Sequence, residues 1–81
     1  MDKKTQEHII TAYVRPMATE RRITVSVKSP PSGVVLSVEG GDKTKETFAD
    51  ALAQALGGMG YDVDVYIHDG NIVIDDKELE D

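Results

Sequence analysis

Between residues 22 and 38 apolar and polar positions alternate twice. Ile23, Val25 and Val27 are separated by Thr24 and Ser26 and flanked by Arg22 and Lys28, the period-two pattern of a strand with one buried face. Val34, Leu36 and Val38 repeat it after Ser29-Pro30-Pro31-Ser32-Gly33, where two prolines exclude helix and a glycine permits a turn. A hairpin is expected. Gly40-Gly41 then breaks the alternation and the period lengthens. Phe48, Leu52, Ala55, Leu56 and Met59, with Ala51 beside them, recur at helical spacing, while Glu46, Asp50 and Gln54 take the opposite side, so one stripe of this helix is expected to be buried. Asp42 or Thr44 is expected to cap its start, and Gly57, Gly58 and Gly60 to stop it.

Alternation resumes after the helix. Tyr61, Val63, Val65 and Ile67 interleave with Asp62, Asp64, Tyr66 and His68, and Asp69-Gly70 follows, a strong signal for a two-residue hairpin turn. Such a turn pairs His68 with Asn71, Ile67 with Ile72, Tyr66 with Val73, Val65 with Ile74 and Asp64 with Asp75. Ile67, Ile72, Val65 and Ile74 then share one face, and a slip by one residue would scatter them. The N-terminal run Ile9-Ile10-Thr11-Ala12-Tyr13-Val14 is rich in β-formers and is expected as a strand, although Ile9, Ile10, Tyr13 and Val14 also fit a short helix. Pro16 is expected to end it in either case. The resulting fold class is α+β, a (β)ββαββ order with one helix packed on one face of a mainly antiparallel sheet. One domain spans 1–81, with 1–7 and 77–81 as frayed tails.

The run from Ile23 to Leu56, a hairpin followed by a capped helix, resembles in element order the first half of a ubiquitin-like β-grasp domain. The tail Asp76-Lys77-Glu78-Leu79-Glu80-Asp81 lacks the terminal glycine pair of the conjugating and sulfur-carrying members, so the resemblance does not imply conjugation.

Composition narrows the picture. An 81-residue chain assembles a single core of modest stability, one that association with a partner, including a second copy as a homodimer, would reinforce. There is no cysteine, hence neither a disulfide framework nor a thiolate metal site. The N-terminal lysines Lys3 and Lys4 lead only into the Ile9-Ile10 pair, not into the apolar stretch of a signal peptide, and no run approaches about 18 apolar residues. A cytoplasmic location without membrane contact is expected. The net charge of −6 hides a division. Residues 1–28 carry Lys3, Lys4, Arg15, Arg21, Arg22 and Lys28 against Asp2, Glu7 and Glu20, whereas residues 39–81 carry twelve acids against Lys43, Lys45 and Lys77. Ordinary solubility is one explanation of this, and a solvated acidic face is all it requires; a basic partner for the acidic half is the other.

Candidate chemistry is sparse. No serine lies in a nucleophile elbow, and His8 and His68 have no triad partner in the pattern. Gly57-Gly58-Met59-Gly60 ends a helix where a phosphate loop would begin one, and Gly40-Gly41-Asp42 lacks the lysine and hydroxyl of a nucleotide site. No catalytic residue, metal site or cofactor is expected. The register does place Asp64 opposite Asp75, with Asp62 on the same face and Asp76 close by. Like charges facing each other across strands are destabilising, which points to a compensator: Lys77 or another lysine, an ion, or a basic surface on a partner. On that face Tyr66 and Val73 form a cross-strand pair inside an acidic rim, the make-up of an interface anchor; the alternative is that the pair packs under the N-terminal segment. The partner-binding candidates are therefore Asp62, Asp64, Tyr66, Val73, Asp75 and Asp76. They suggest a non-enzymatic acidic protein–protein interaction module, regulatory or inhibitory. By analogy, small phage-encoded inhibitors and nucleic-acid mimics share this size and charge. The alternatives are a nucleic-acid-binding module using Arg15, Arg21, Arg22 and Lys28 with Lys3 and Lys4, or a non-catalytic subunit of a larger complex.

Overall fold

Asp69 and Gly70 both lie at positive φ, 50° and 77°, the backbone of the tight turn that suits the twist of a two-residue hairpin. They join strand β3 (Val63–His68) to β4 (Asn71–Asp76). The register is the expected one from His68↔Asn71 to Asp64↔Asp75, and Val63↔Asp76 extends it. The earlier alternation forms a second hairpin of β1 (Val25–Lys28) and β2 (Gly33–Val38), pairing Val25 with Val38 and Lys28 with Val35. These elements belong to a computed structural model that describes residues 1–77. The expected tail 77–81 lies outside the described residues except for Lys77, whose N–H donates to the Asp62 carbonyl.

Antiparallel pairing of β2 with β4, Gly33↔Asp75 through Leu36↔Ile72, unites the hairpins into one sheet of order β1-β2-β4-β3. The molecule is a small α+β fold with its helices on one face of that sheet. The helix-bearing face buries Val34, Leu36, Ile72 and Ile74 completely. Against them lies α3 (Asp42–Gly58), which presents Phe48, Leu52 and Leu56, all fully buried. Its start differs from expectation: Gly41 is the cap and makes no side-chain bond, and Asp42 is the first helical residue, where its charge suits the helix dipole. Gly57 and Gly58 remain helical, and the chain turns at Gly60, φ 86°. Met59 therefore leaves the apolar stripe and is 68% exposed.

The N-terminal segment is helical, not a strand, and residues 3–7 belong to it rather than to a tail. Asp2 caps α1 (Lys3–Ile9), its Oδ1 accepting from the Thr5 N–H at 2.7 Å. That bond to Thr5 holds the Asp2 carboxyl below its usual range. Pro16 does not end the helix either. A proline within a regular helix lacks the N–H for the carbonyl four residues back, and its ring collides with that carbonyl. Here the chain inserts a π-helical segment, Ile10–Val14, in which the Arg15 N–H reaches back five residues to the Ile10 carbonyl. Pro16 then falls in the first turn of α2 (Arg15–Arg21), where a missing N–H is tolerated. The extra residue of the π turn has a second effect. Ile9 and Val14, five apart, both reach the core and are fully buried. Arg22, in the left-handed region at φ 57°, stops α2, and the Ile23 N–H bonds back to the Ala18 carbonyl.

Gln6 ties this helix to the sheet. It is buried, and its Nε2 donates to the Pro30 carbonyl at 2.6 Å and the Gly33 carbonyl at 2.8 Å. Gly33 itself is required by close approach rather than by turn conformation: a Cβ there would stand 1.8 Å from the Ile74 carbonyl oxygen.

Two sets of substitutions check this packing by thermal or urea unfolding. Gly33→Ala forces β2 from β4 and should cost roughly 1–3 kcal/mol. Gly57→Ala, helical with nothing within 4 Å of the new Cβ, should instead stabilise by about 0.5–1 kcal/mol. Gln6→Ala leaves the buried Gly33 carbonyl without its side-chain donor, while the Pro30 carbonyl keeps the Gly33 N–H, and should cost roughly 1–3 kcal/mol; a neutral result would mean that the N-terminal helix is not docked.

Candidate functional site

With both helical segments packed on one side, the opposite side of the sheet carries no helix of the described residues. The register places its side chains in rows. Lys28, Val35, Val73 and Tyr66 form a row across all four strands; Ser26 pairs with Ser37 and Asn71 with His68; Asp75 faces Asp64. Val73 is 8% exposed and lies outside the main core cluster, shielded among its neighbours in this row. Tyr66 is 43% exposed. Because the N-terminal helix covers the other face, Tyr66 and Val73 do not pack beneath it.

The Tyr66 hydroxyl donates to Asp75 Oδ2 at 2.5 Å. This bond fixes the ring diagonally across the β3–β4 ladder and shares a proton donor with one member of the facing carboxylate pair, a neutral compensator that residue pairing alone does not suggest. The bond is also the largest reason that the Tyr66 phenol is held above its ordinary value of 10.0; desolvation and the charges of Asp75 and Asp64 act in the same direction. Lys77 Nζ lies 3.9 Å from Asp62 Oδ1. Among the described residues Asp64 has neither a hydrogen-bonding nor an ion-pairing partner.

Of the candidate residues, then, Asp64, Tyr66, Val73 and Asp75 are brought together on the open face, and Asp62 stands just before β3 at the same end. Asp76 is not with them. Its register partner is Val63, a residue packed against the core, so it points to the helix-bearing side, where its carboxylate meets the Met1 ammonium at 2.5 Å. Among the described residues no three histidine, aspartate or glutamate side chains converge in a way that could hold a metal ion.

The basic residues do not gather on one strand face. Lys3 and Lys4 open α1, Arg15 and Arg21 belong to α2, Arg22 is its cap, and only Lys28 lies on a strand. An aromatic group that the sequence did not suggest joins three segments: the rings of Tyr13 and Tyr61 meet edge to face at 5.8 Å, and His8 lies 6.1 Å from Tyr13 and 6.4 Å from Tyr61. Its only sequence signal is the spacing of His8 and Tyr13, which has meaning once the segment is helical and contains a π turn. No helix among the described residues is long and apolar enough to cross a membrane. No family model, curated protein or solved structure matches the chain.

The Tyr66–Asp75 bond can be titrated. Tyrosinate absorbance should show a component ionising above the usual tyrosine range, and Asp75→Asn should bring it down. The neutral phenol is the form this fold prefers, so the pair's contribution to stability is present below about pH 10 and lost as pH rises through the Tyr66 titration. A Tyr66 titration that Asp75→Asn leaves unmoved would show that the bond does not persist in solution.

Proposed function

We propose that this protein is a non-enzymatic docking module of the cytoplasm, and that the open sheet face, centred on Tyr66, binds a basic surface on another protein. The observation that carries the reading is the Tyr66–Asp75 hydrogen bond, which holds a half-exposed aromatic ring on a helix-free face next to a carboxylate, Asp64, without a partner among the described residues. A ring already fixed before binding loses little conformational freedom on contact, which is the property that makes tyrosine an effective anchor. Asp64, Asp75 and Asp62 around it supply the charge that steers a cationic surface into register. Occupation of a basic groove by spaced carboxylates, as phosphates would occupy it, is the inhibitory form of this reading. The scatter of the arginines over a helix and its cap leaves the nucleic-acid alternative without a comparable platform.

Affinity capture from nuclease-treated lysate of the source cells tests it, with the tagged wild type beside Asp64→Lys/Asp75→Lys and Tyr66→Ala. A protein held by the wild type should be lost from the double variant and weakened by about 1–2 kcal/mol or more in Tyr66→Ala, with circular dichroism unchanged in both. Retention of the same protein by a folded double variant would remove the open face from consideration.

A further inference from the structure

The sheet order leaves β3 at an edge. In an antiparallel hairpin closed by two residues, His68 and Asn71 exchange both hydrogen bonds, and bonded pairs recur at every second position, Tyr66 with Val73 and Asp64 with Asp75. The bond from the Lys77 N–H to the Asp62 carbonyl continues the same phase. The peptide groups of Val63, Val65 and Ile67 therefore face away from β4, towards a side where no strand of the described residues lies. Proteins ordinarily blunt such an edge with lysine, proline or a bulge. β3 has none of these and carries only the charge of Asp64: its sequence is Val-Asp-Val-Tyr-Ile-His, its six pairs run without interruption, and Ile67 is 40% exposed. The opposite edge, β1, is four residues long, ends on Lys28 and runs into Ser29-Pro30-Pro31.

A groove of about 240 Å³ runs beside the β3 edge, between it and α3. Ala49, Ala53, Val65 and Ile67 make its apolar wall, Tyr66 lies between the last two, and Glu46 and Asp50 add acidic groups. The two alanines of α3 leave the space that larger side chains would have closed. A strand added to β3 would place alternate side chains on the groove side and the others on the open-face side, near Asp64.

We propose that the β3 edge binds an extended segment of another protein by strand addition, the segment alternating apolar residues with lysine or arginine. The unpaired backbone supplies affinity, the groove takes the apolar set, and the carboxylates select the cations. Charge complementarity decides the occupant. A second copy would align two β3 strands, each bearing Asp62 and Asp64, in a chain of net charge −6, whereas a cationic segment neutralises them. The inference shares Asp64 with the open-face reading but goes beyond it, because its affinity comes from main-chain groups and the α3 groove rather than from Tyr66.

The test is amide hydrogen exchange followed by NMR on the full chain, with a capped hexapeptide alternating lysine and valine. Two control peptides carry proline at the centre or glutamate in place of lysine. The lysine–valine peptide should slow exchange at Val63, Val65 and Ile67 while leaving Asp64 and Tyr66, already bonded to β4, unchanged. Both controls should bind at least about tenfold more weakly. Ala53→Arg, at an exposed position of α3, fills the groove and should weaken binding about tenfold with helix content intact. Asp75→Asn, on β4 and outside the groove, removes the carboxylate that fixes Tyr66 on the open face and should keep the exchange pattern, which separates this outcome from failure of the open-face reading. Unaltered exchange at the three edge amides in millimolar peptide, equal binding of the glutamate peptide, or protection that rises with protein concentration alone, as a second copy would produce, each overturns the proposal.

Discussion

Everything in this fold hangs on the pairing of β2 with β4. Each hairpin is local in sequence and needs only its own turn, but a two-stranded hairpin is marginal in water. The ladder from Gly33↔Asp75 to Leu36↔Ile72 is the contact that turns two such hairpins into one sheet, and it brings Val34, Leu36, Ile72 and Ile74 together as a fully buried floor. That approach is close enough that residue 33 has no room for a Cβ. Gln6 then fastens the N-terminal helix across the same junction, at the Pro30 and Gly33 carbonyls. The two helical segments have one floor to cover, and they cover one face. An open face and an open edge at β3 are consequences of this arithmetic rather than separate features.

The parts of the fold that were legible in the sequence are those whose determinants are local. The β3–β4 register follows from Asp69-Gly70 and a strict period of two, and it is observed residue for residue. The α3 stripe follows from the spacing of Phe48, Leu52 and Leu56. The N-terminal segment was misread because its β-branched residues favour strand locally, whereas its conformation is decided by a core that needs a second covering helix. Pro16 adds to the local signal against a helix here. Its rule assumes a regular helix, and a π turn places the proline where the rule no longer applies. Met59 failed for a related reason: helical spacing was extended one residue beyond the last turn, and past Gly58 the face it predicts no longer exists.

The candidate site was legible to the extent that it depends on strand alternation. Asp64, Tyr66, Val73 and Asp75 share a face because they are alternate residues of paired strands. Asp76 was grouped with them by proximity in sequence, yet adjacent residues of a strand point to opposite faces, and its carboxylate serves the Met1 ammonium instead. The compensation of Asp75 by a phenol was invisible because Tyr66 and Asp75 are diagonal, not directly opposed, and diagonal contacts depend on side-chain reach. Likewise the groove at β3 depends on which residues of α3 face outward at its edge, which no single element's pattern contains.

Charge explains how an unblunted edge and an exposed tyrosine can persist together on a small protein. All of the excess negative charge lies in residues 39–81, residues 1–28 being net positive, and the fold brings Asp62, Asp64 and Asp75 to the strands whose face and edge are open. Two identical molecules approaching through these surfaces repel, and repulsion between like charges across an interface suppresses association that apolar contact would otherwise favour. The same carboxylates that keep copies apart favour a cationic partner, and they do so most strongly where water is excluded. An acidic rim around unpaired backbone is therefore both a guard against self-association and a filter on what can bind.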